Sequence, residues 1–267
     1  MVGTSTDHND LEKLVAATKD SYRLPVDINA IGAPAAVAEG RRNILEGIVR
    51  AGGQLNAYPA VVATPYLIWT SPLEILVDSH IEPWNNRARV YGVRNNGGNE
   101  TGYAGYSVGF FYFWDNPSPQ NYALVDVSST LVTKGFVSAT GNTGTFSGGV
   151  ASLSASTSLI LHQLAGDVPL WPQAGQTEGM YSVEAQGGGF WSGETGRTNT
   201  RGVFYEATVE YRFYPVPPGA RAIFEVRLTL STSIRNGSGS VWFDFANAVQ
   251  DNYVQCPAVV ITVLSGL

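Results

Sequence analysis

The sequence is short of charge, cysteine and histidine, and each shortage excludes a class of protein. Charged residues make up 14% of the chain, against about a quarter in an average globular protein. The net charge is -6, and only Lys13, Lys19 and Lys134 are lysines. Contacts to phosphate need clustered lysine and arginine, so nucleic acid is not expected as a partner. Binding to an anionic membrane surface is disfavoured for the same reason.

Cys256 is the only cysteine, so no disulfide can form within the chain. It lies beside Pro257 in an apolar stretch and is expected in the core. The first ten residues are polar and show no signal-peptide pattern. No apolar run reaches the length of about 18 residues that a spanning helix needs. The expected location is cytoplasmic, or outside the cell after release without a signal peptide, with a removed leader as the open alternative.

Motifs of enzyme chemistry are missing as well. The chain has no Gly-x-Ser-x-Gly elbow, no P-loop and no dinucleotide fingerprint. No catalytic residue and no cofactor is therefore predicted, which favours a protein that is not an enzyme. Glu206 and Glu210 share one face of a predicted strand. Four residues of extended chain hold them about 13 Å apart, too far for the carboxylate pair of a glycosidase.

One polar cluster has the composition of a metal or acid-base site. Asp78, His80 and Glu82 would share one face of an extended strand. A carboxylate, an imidazole and a second carboxylate could hold a divalent ion or act as an acid-base set. An ordinary solvated strand face has the same alternation, and only His162 could add a second imidazole from another strand. The expectation is that no metal is bound, with a hydrolase or metal enzyme around His80 as an alternative.

The residues that are present predict an all-β fold. Strict alternation of apolar and polar residues over 205–213 and again over 222–230 is typical of half-buried strands. Residues 108–114 are apolar on both faces, which is typical of a central core strand. Turn-forming glycine, proline and asparagine separate about nine or ten such strands. The predicted fold is a single antiparallel β-sandwich of jelly-roll type with an N-terminal helical or extended segment.

The last quarter of the chain gives the most specific expectations. The alternation places Phe224 inward with its apolar neighbours, and it places Glu225 and Arg227 on the solvent side. Asn236-Gly237 is a hairpin signal. The strands from residue 205 onward are expected to form one antiparallel sheet. The final strand is placed centrally in that sheet, because residues 259–261 are apolar on both faces.

The chain divides into two parts by composition. Residues 1–57 are predicted to be a helical or extended arm, and residues 58–267 are predicted to be the sandwich domain. Residues 7–22 have helical periodicity, with apolar side chains at Leu11, Leu14 and Val15. Residues 28–38 are apolar and broken by glycine and proline. The arm could pack on its own sandwich or cross to a neighbouring copy, and low surface charge slightly favours the neighbour.

Three functions remain open on these grounds. The preferred one is a non-catalytic sandwich that acts by self-assembly as a homo-oligomer, or by recognising a surface or a ligand such as a carbohydrate. Tryptophans predicted outside the core are candidates for that contact, since exposed tryptophan stacks on sugar rings and anchors interfaces: Trp84, Trp171, Trp191 and Trp242. A second function is a β-hairpin pore-forming toxin. It would use the serine- and threonine-rich residues 126–161, and only then would a membrane be a partner. The sandwich enzyme around His80 is the third.

Overall fold

Strands account for most of the described chain. The computed structural model describes residues 55–71, 76–96, 102–144, 148–165, 168–169, 174–189 and 195–266. Residues 1–54 lie outside these ranges, and so do Trp171 and Trp191. The strands in chain order are β1 (Leu55–Val62), β2 (Leu67–Thr70), β3 (Leu76–Glu82), β4 (Arg87–Asn96), β5 (Gly102–Asp115), β6 (Ala123–Gly141), β7 (Val150–Ala165), β8 (Val168–Pro169), β9 (Ala174–Gln186), β10 (Arg197–Val216), β11 (Arg221–Arg235), β12 (Gly239–Asp244), β13 (Tyr253–Gln255) and β14 (Val259–Gly266). A 3₁₀ turn, Pro83–Asn85, joins β3 to β4.

The first sheet is built around the long strand β6. One side of β6 pairs with β10 along most of its length. Its other side pairs in succession with β12, β13 and β14, which follow one another like one interrupted strand. Beyond them lie β4 and β1, with β3 outside β4. These eight strands are called sheet 1, and every pairing among them is antiparallel.

The second sheet is built around β11. This strand pairs with β5 on one side and with β7 on the other. Beyond β5 lies β2, and beyond β7 lie β9 and the short β8. These six strands are called sheet 2. Residues 108–114, which are apolar on both faces, form the second half of β5, and β5 lies inside the sheet between β2 and β11.

The core lies between the two sheets. Alternate residues of each strand point inward, and together they form one buried apolar cluster. Phe224 and Phe243 come from opposite sheets and are fully or almost fully buried. Burial of each such side chain contributes about 1.5–3 kcal/mol. The predicted antiparallel β-sandwich is therefore confirmed, and so are the central position of β14 and the inward direction of both phenylalanines.

At one side of the sandwich the edge strands of the two sheets contact each other. β9 ends sheet 2 and β10 ends sheet 1, and the rings of Tyr181 and Tyr205 meet edge to face with centroids 5.9 Å apart. The backbone N–H of Glu210 donates to the side-chain oxygen of Gln176 at 2.8 Å. Exposed strand edges invite pairing with other chains. The contact with β9 partly covers the edge of β10.

Four expectations from the sequence are wrong. Asn236-Gly237 does not close a hairpin, because β11 and β12 lie in different sheets. β11 does not pair with β10, because the turn after Val216 carries the chain across the core into sheet 2. Glu225 and Arg227 do face away from the core, but they are 0% and 1% exposed rather than solvated. Residues 126–161 form no hairpin, since β6 and β7 lie in different sheets and each pairs with other strands.

The helical or extended arm at residues 1–57 lies almost wholly outside the described residues, apart from the start of β1. Within the described ranges, no helix is long and apolar enough to cross a membrane.

Candidate functional site

Among the described residues, the outer face of sheet 1 carries several partly exposed aromatic side chains that could bind a ligand. Residues paired directly across antiparallel strands share a face, so the strand registers define rows that cross the sheet. One row contains Gly202, Phe136, Asp244, Tyr91 and Asp78. The next contains Thr200, Ser138, Trp242 and Val93. The aromatic residues of these two rows, Tyr91, Phe136 and Trp242, are called the aromatic platform.

The spacing of the platform follows from sheet geometry. Phe136 and Tyr91 flank Asp244 on neighbouring strands, so their Cα atoms are about 10 Å apart. Trp242 precedes Asp244 by two residues on the same strand, which places it about 7 Å further along. All three side chains are partly exposed. They form a triangle with the Asp244 carboxylate on one side.

Phe136 is supported by a glycine on the neighbouring strand. A Cβ atom added to Gly202 would lie 3.6 Å from the nearest ring carbon of Phe136. The ring therefore packs over the bare backbone of β10, as aromatic side chains do over strand glycines. Phe204, two residues further along β10 on the same face, is 67% exposed. It extends the apolar surface beyond the platform.

A ladder of hydroxyl groups runs beside the platform between β6 and β10. Ser138 Oγ lies 2.8 Å from Thr200 Oγ1, and Thr140 Oγ1 lies 2.9 Å from Thr198 Oγ1. Ser138 is 0% exposed and also donates to the Asn199 carbonyl oxygen. The exposed hydroxyls of Thr198 and Thr200 keep lone pairs that can accept further hydrogen bonds. The sheet thus offers neutral hydrogen-bonding groups next to aromatic rings.

An extruded loop, residues 246–252, rises from this face between β12 and β13. Asp244 Oδ1 accepts hydrogen bonds from the N–H groups of Ala246 and Asn247 at 2.9 and 3.0 Å. Asn247 Oδ1 in turn accepts from the N–H groups of Val249 and Gln250. Asp and Asn side chains favour such turns because they can replace backbone partners. The loop is therefore specified locally, and Val249 at its tip is almost fully exposed.

The far end of the loop is held by a cluster of positive charges. Asp251 makes ion pairs of 3.3, 3.4 and 3.5 Å with Arg87, Arg89 and Lys134. Desolvation acts to raise the pKa of Asp251, but Arg89, Arg87 and Lys134 together hold it below its usual value. The Arg87 guanidinium also lies over the Tyr253 ring, 3.9 Å from its centroid. Tyr253 is thereby covered and does not belong to the platform.

The predicted polar cluster does lie on one strand face. Asp78, His80 and Glu82 all point outward from β3, and Asp78 and His80 are exposed. Glu82 is engaged elsewhere, because Arg89 Nε donates to its carboxylate at 2.6 Å. That hydrogen bond is the main cause of the lowered pKa of Glu82. His162 is far from this row, buried in sheet 2. Within the described ranges, no group of three such side chains could hold a metal ion.

Of the four predicted tryptophans, two can be placed. Trp242 lies in the platform, and Trp84 lies in the 3₁₀ turn after β3, 75% exposed. Sequence reasoning missed Tyr91, Phe136 and Phe204. The alternation along β4, β6 and β10 could have assigned their faces, but only the strand pairing shows that they lie near Trp242.

Cys256 is part of the core, whereas the paired glutamates of β10 are exposed. Cys256 is buried, and Ser129 Oγ lies 3.2 Å from its sulfur, so its expected place in the core is confirmed. Burial raises the pKa of the Cys256 thiol to about 11, although hydrogen bonds from Ser129 and Tyr112 act in the opposite direction. Glu206 and Glu210 lie exposed on β10, on the outer face.

The outer face of sheet 2 holds a buried charged cluster instead. His162 Nε2 lies 2.9 Å from one carboxylate oxygen of Glu225, and Arg227 Nε donates to the other at 2.6 Å. Burial by itself would raise the pKa of Glu225, but the Arg227 charge and the His162 hydrogen bond outweigh it and lower the value to about 2. Charged residues are almost never fully buried unless they are paired, and this cluster meets that condition.

Comparison with known proteins gives no family. No protein-family model matches the chain, and no curated protein matches it. A structure of TmCBM61 with beta-1,4-galactotriose is 12% identical over 70% of this chain and 83% of that chain, with a TM-score of 0.17. A family 11 carbohydrate-binding module from Clostridium thermocellum with a mixed-linked tetrasaccharide is 12% identical over 72% and 96% of the two chains, with a TM-score of 0.12. The Clostridium thermocellum xylanase 10B CBM22-1-GH10 modules are 12% identical over 78% and 25%, with a TM-score of 0.15. These TM-scores are too low to carry an argument.

Proposed function

We propose that this chain is a non-catalytic recognition module that binds a carbohydrate on the outer face of sheet 1. The observation that carries the proposal is the aromatic platform on a solvent-facing sheet. A sugar ring has an apolar side made of C–H groups, and it packs against aromatic rings through that side. Rings on adjacent strands present several such contacts at fixed spacing, because the sheet holds their Cα positions rigidly.

Polar groups around the platform suit the rest of a sugar. Hydroxyl groups of a sugar both donate and accept, and neutral side chains can meet them without the desolvation cost of a charge. The Ser138–Thr200 pair lies in the same row as Trp242. Binding sites of this type combine apolar surface with a few placed polar groups, which set orientation and specificity.

The acidic groups of this face support binding rather than catalysis. The carboxylate of Asp244 is used to hold the extruded loop, and that of Glu82 is used to hold Arg89. Asp251 anchors the other end of the loop through three cations. Each of these three carboxylates therefore has a structural role that a catalytic acid or base would have to abandon, whereas Asp78, Glu206 and Glu210 on the same face are exposed.

The proposal is tested by affinity electrophoresis against a panel of soluble xylan, galactan, mannan and β-glucan. We expect retardation by at least one polymer. Removing a central aromatic contact costs more than about 1.4 kcal/mol at a typical hot spot, so W242A and F136A should each weaken binding about tenfold or more. Y122A removes an exposed aromatic ring from the turn before β6 and should bind like the wild type. Migration unaffected by every polymer, or equal losses in W242A and Y122A, would contradict the proposal.

Self-assembly is a second candidate, and a separate patch favours it. Val61 on β1 and Val260 on β14 are paired on the outer face of sheet 1, 62% and 38% exposed. A second copy could bury this valine pair, although a typical interface patch is larger. We expect V260K to lower the mass measured by sedimentation velocity, while T208K, an exposed change on β10, should not. A wild-type chain that sediments as a monomer at high micromolar concentration would end this candidate.

A further inference from the structure

Charge is unevenly distributed over the outer face of sheet 1. Three rows of directly paired residues cross the sheet between the extruded loop and the start of β12, and they pass through Asp244, Trp242 and Ser240. Among the described residues of these rows, only Asp244 and Asp78 are charged, and both are acidic. The other members are aromatic, aliphatic or neutral polar residues. The platform therefore contains carboxylates and no cation.

The nearest cations lie beyond the platform and already have partners. Arg89 Nε donates to the Glu82 carboxylate at 2.6 Å. Arg87 and Lys134 make ion pairs with Asp251 of 3.3 and 3.5 Å. These positive charges are used to anchor the loop. A ligand on the platform consequently meets negative charge first.

Asp244 has a fixed orientation and one available carboxylate oxygen. Its Oδ1 accepts hydrogen bonds from the N–H groups of Ala246 and Asn247 at 2.9 and 3.0 Å, and these two bonds restrain the rotation of the carboxylate. Its Oδ2 has no hydrogen-bond partner among the described residues, and the side chain is partly exposed. Phe136 and Tyr91 are its direct neighbours on the two adjacent strands. Oδ2 is therefore a hydrogen-bond acceptor in the middle of the platform.

An acceptor of this kind suits a neutral sugar. Sugar hydroxyl groups donate hydrogen bonds, and a hydrogen bond to a carboxylate is roughly twice as strong as one between neutral groups. The carboxylate of an acidic sugar is itself an anion and cannot donate a proton to Asp244. Like charges that are brought together at a binding surface repel each other, and this repulsion suppresses wrong partners.

We infer that Asp244 determines the specificity of the platform: its Oδ2 accepts a hydrogen bond from a hydroxyl group of a neutral polysaccharide, and its charge excludes acidic polysaccharides. This inference rests on the proposed function and narrows the ligand class to polymers without anionic groups. The N–H groups of the extruded loop hold the carboxylate in place before a ligand arrives. Such preorganisation reduces the entropy that is lost on binding.

A charged and an uncharged derivative of one polymer test the inference by titration calorimetry. A soluble xylan, galactan, mannan or β-glucan that the wild type binds is derivatised to the same low degree with carboxymethyl or with hydroxyethyl groups. We expect the wild type to bind the hydroxyethyl polymer at least about tenfold more tightly. The difference should nearly vanish at about 1 M salt, where the Debye length falls to about 3 Å. This salt dependence needs no variant.

D244N separates the charge of the side chain from its shape. Asparagine keeps an oxygen for the N–H groups of Ala246 and Asn247, but it replaces Oδ2 by an amide that donates. We expect it to weaken binding of the hydroxyethyl polymer about tenfold or more and to reduce the preference to less than about threefold. E206Q removes the same charge from an exposed position on the same face, and it should change neither value.

N247A tests whether Asp244 acts only by holding the loop. Asn247 Oδ1 accepts from the N–H groups of Val249 and Gln250, so this change loosens the loop and leaves the Asp244 carboxylate intact. We expect N247A to bind both derivatives like the wild type.

Three results would overturn the inference: equal or tighter binding of the carboxymethyl polymer by the wild type, equal losses in D244N and E206Q, or equal losses in D244N and N247A. A chain that binds only acidic polymers would retain the proposed function and contradict this inference. A chain that binds no polymer of either kind would contradict both.

Discussion

Replacing Glu225 by glutamine should destabilise the protein far more than any ordinary surface change. The carboxylate is completely buried between Arg227 and His162, and glutamine keeps its shape while removing its charge. The pKa of Glu225 is lowered from 4.5 to about 2 in the fold. Each tenfold change in proton affinity is worth about 1.4 kcal/mol, so this depression corresponds to about 3 kcal/mol at neutral pH. Breaking a buried ion pair costs a similar 3–5 kcal/mol or so.

The sign of the pH dependence follows from the lowered pKa. A carboxylate whose folded pKa lies below its unfolded value stabilises the fold above about pH 4.5, and that contribution is lost as the pH falls toward about 2. The wild type should therefore be about 3 kcal/mol more stable than E225Q at pH 7, with a gap that narrows steadily between pH 4.5 and pH 3. Urea melts followed by circular dichroism at these pH values measure the gap directly.

Controls separate the buried pair from general effects of charge. Glu206 is exposed on β10, and E206Q should cost less than about 0.5 kcal/mol. Residues in contact within one network are not additive. The double variant E225Q/R227M should thus cost at least about 1 kcal/mol less than the sum of its two single changes. Equal costs for E225Q and E206Q, or a gap that does not change between pH 7 and pH 3, would refute this account of the cluster.

Three further predictions concern the core and the backbone. F243A should cost about 3–5 kcal/mol in urea melts, as removal of a buried ring does. S240A, on the outer side of the same strand, should cost less than about 0.5 kcal/mol, and equal costs would mean that the faces of β12 are reversed. G135A should cost about 1–3 kcal/mol or more, because its Cβ would lie 2.2 Å from the Asp244 carbonyl oxygen. The control G179A should be nearly neutral, because its Cβ would meet nothing within 4 Å. Cys256, with its pKa raised by burial to about 11, should react with maleimide only after unfolding, and rapid labelling of the native chain would contradict its place in the core.

The sequence by itself determined the local structure. Period-two alternation assigned the faces of β11 and β12 correctly, and those of β10 as far as Tyr211, because a strand places successive side chains on opposite sides whatever it pairs with. A register shift between Tyr211 and Tyr214 then ends the predicted alternation, and Tyr214 is the buried residue. It placed Phe224 and Phe243 inward and Trp242 outward. It also brought Asp78, His80 and Glu82 to one face of β3. The central position of β14 was predicted from an apolar run on both faces, although the outward Val260 is 38% exposed.

Only the tertiary structure decided which strands are neighbours. Alternation carries no information about pairing partners, so β11 was expected beside β10 although the turn at Pro217 takes it into the other sheet. The aromatic platform has the same origin, since Tyr91, Phe136 and Trp242 come from three strands that are distant in sequence. Glu225 shows most clearly what the alternation of residues cannot predict. Its direction away from the core was predicted, but a polar residue on an outer face is exposed only if nothing packs there, and that depends on the whole chain.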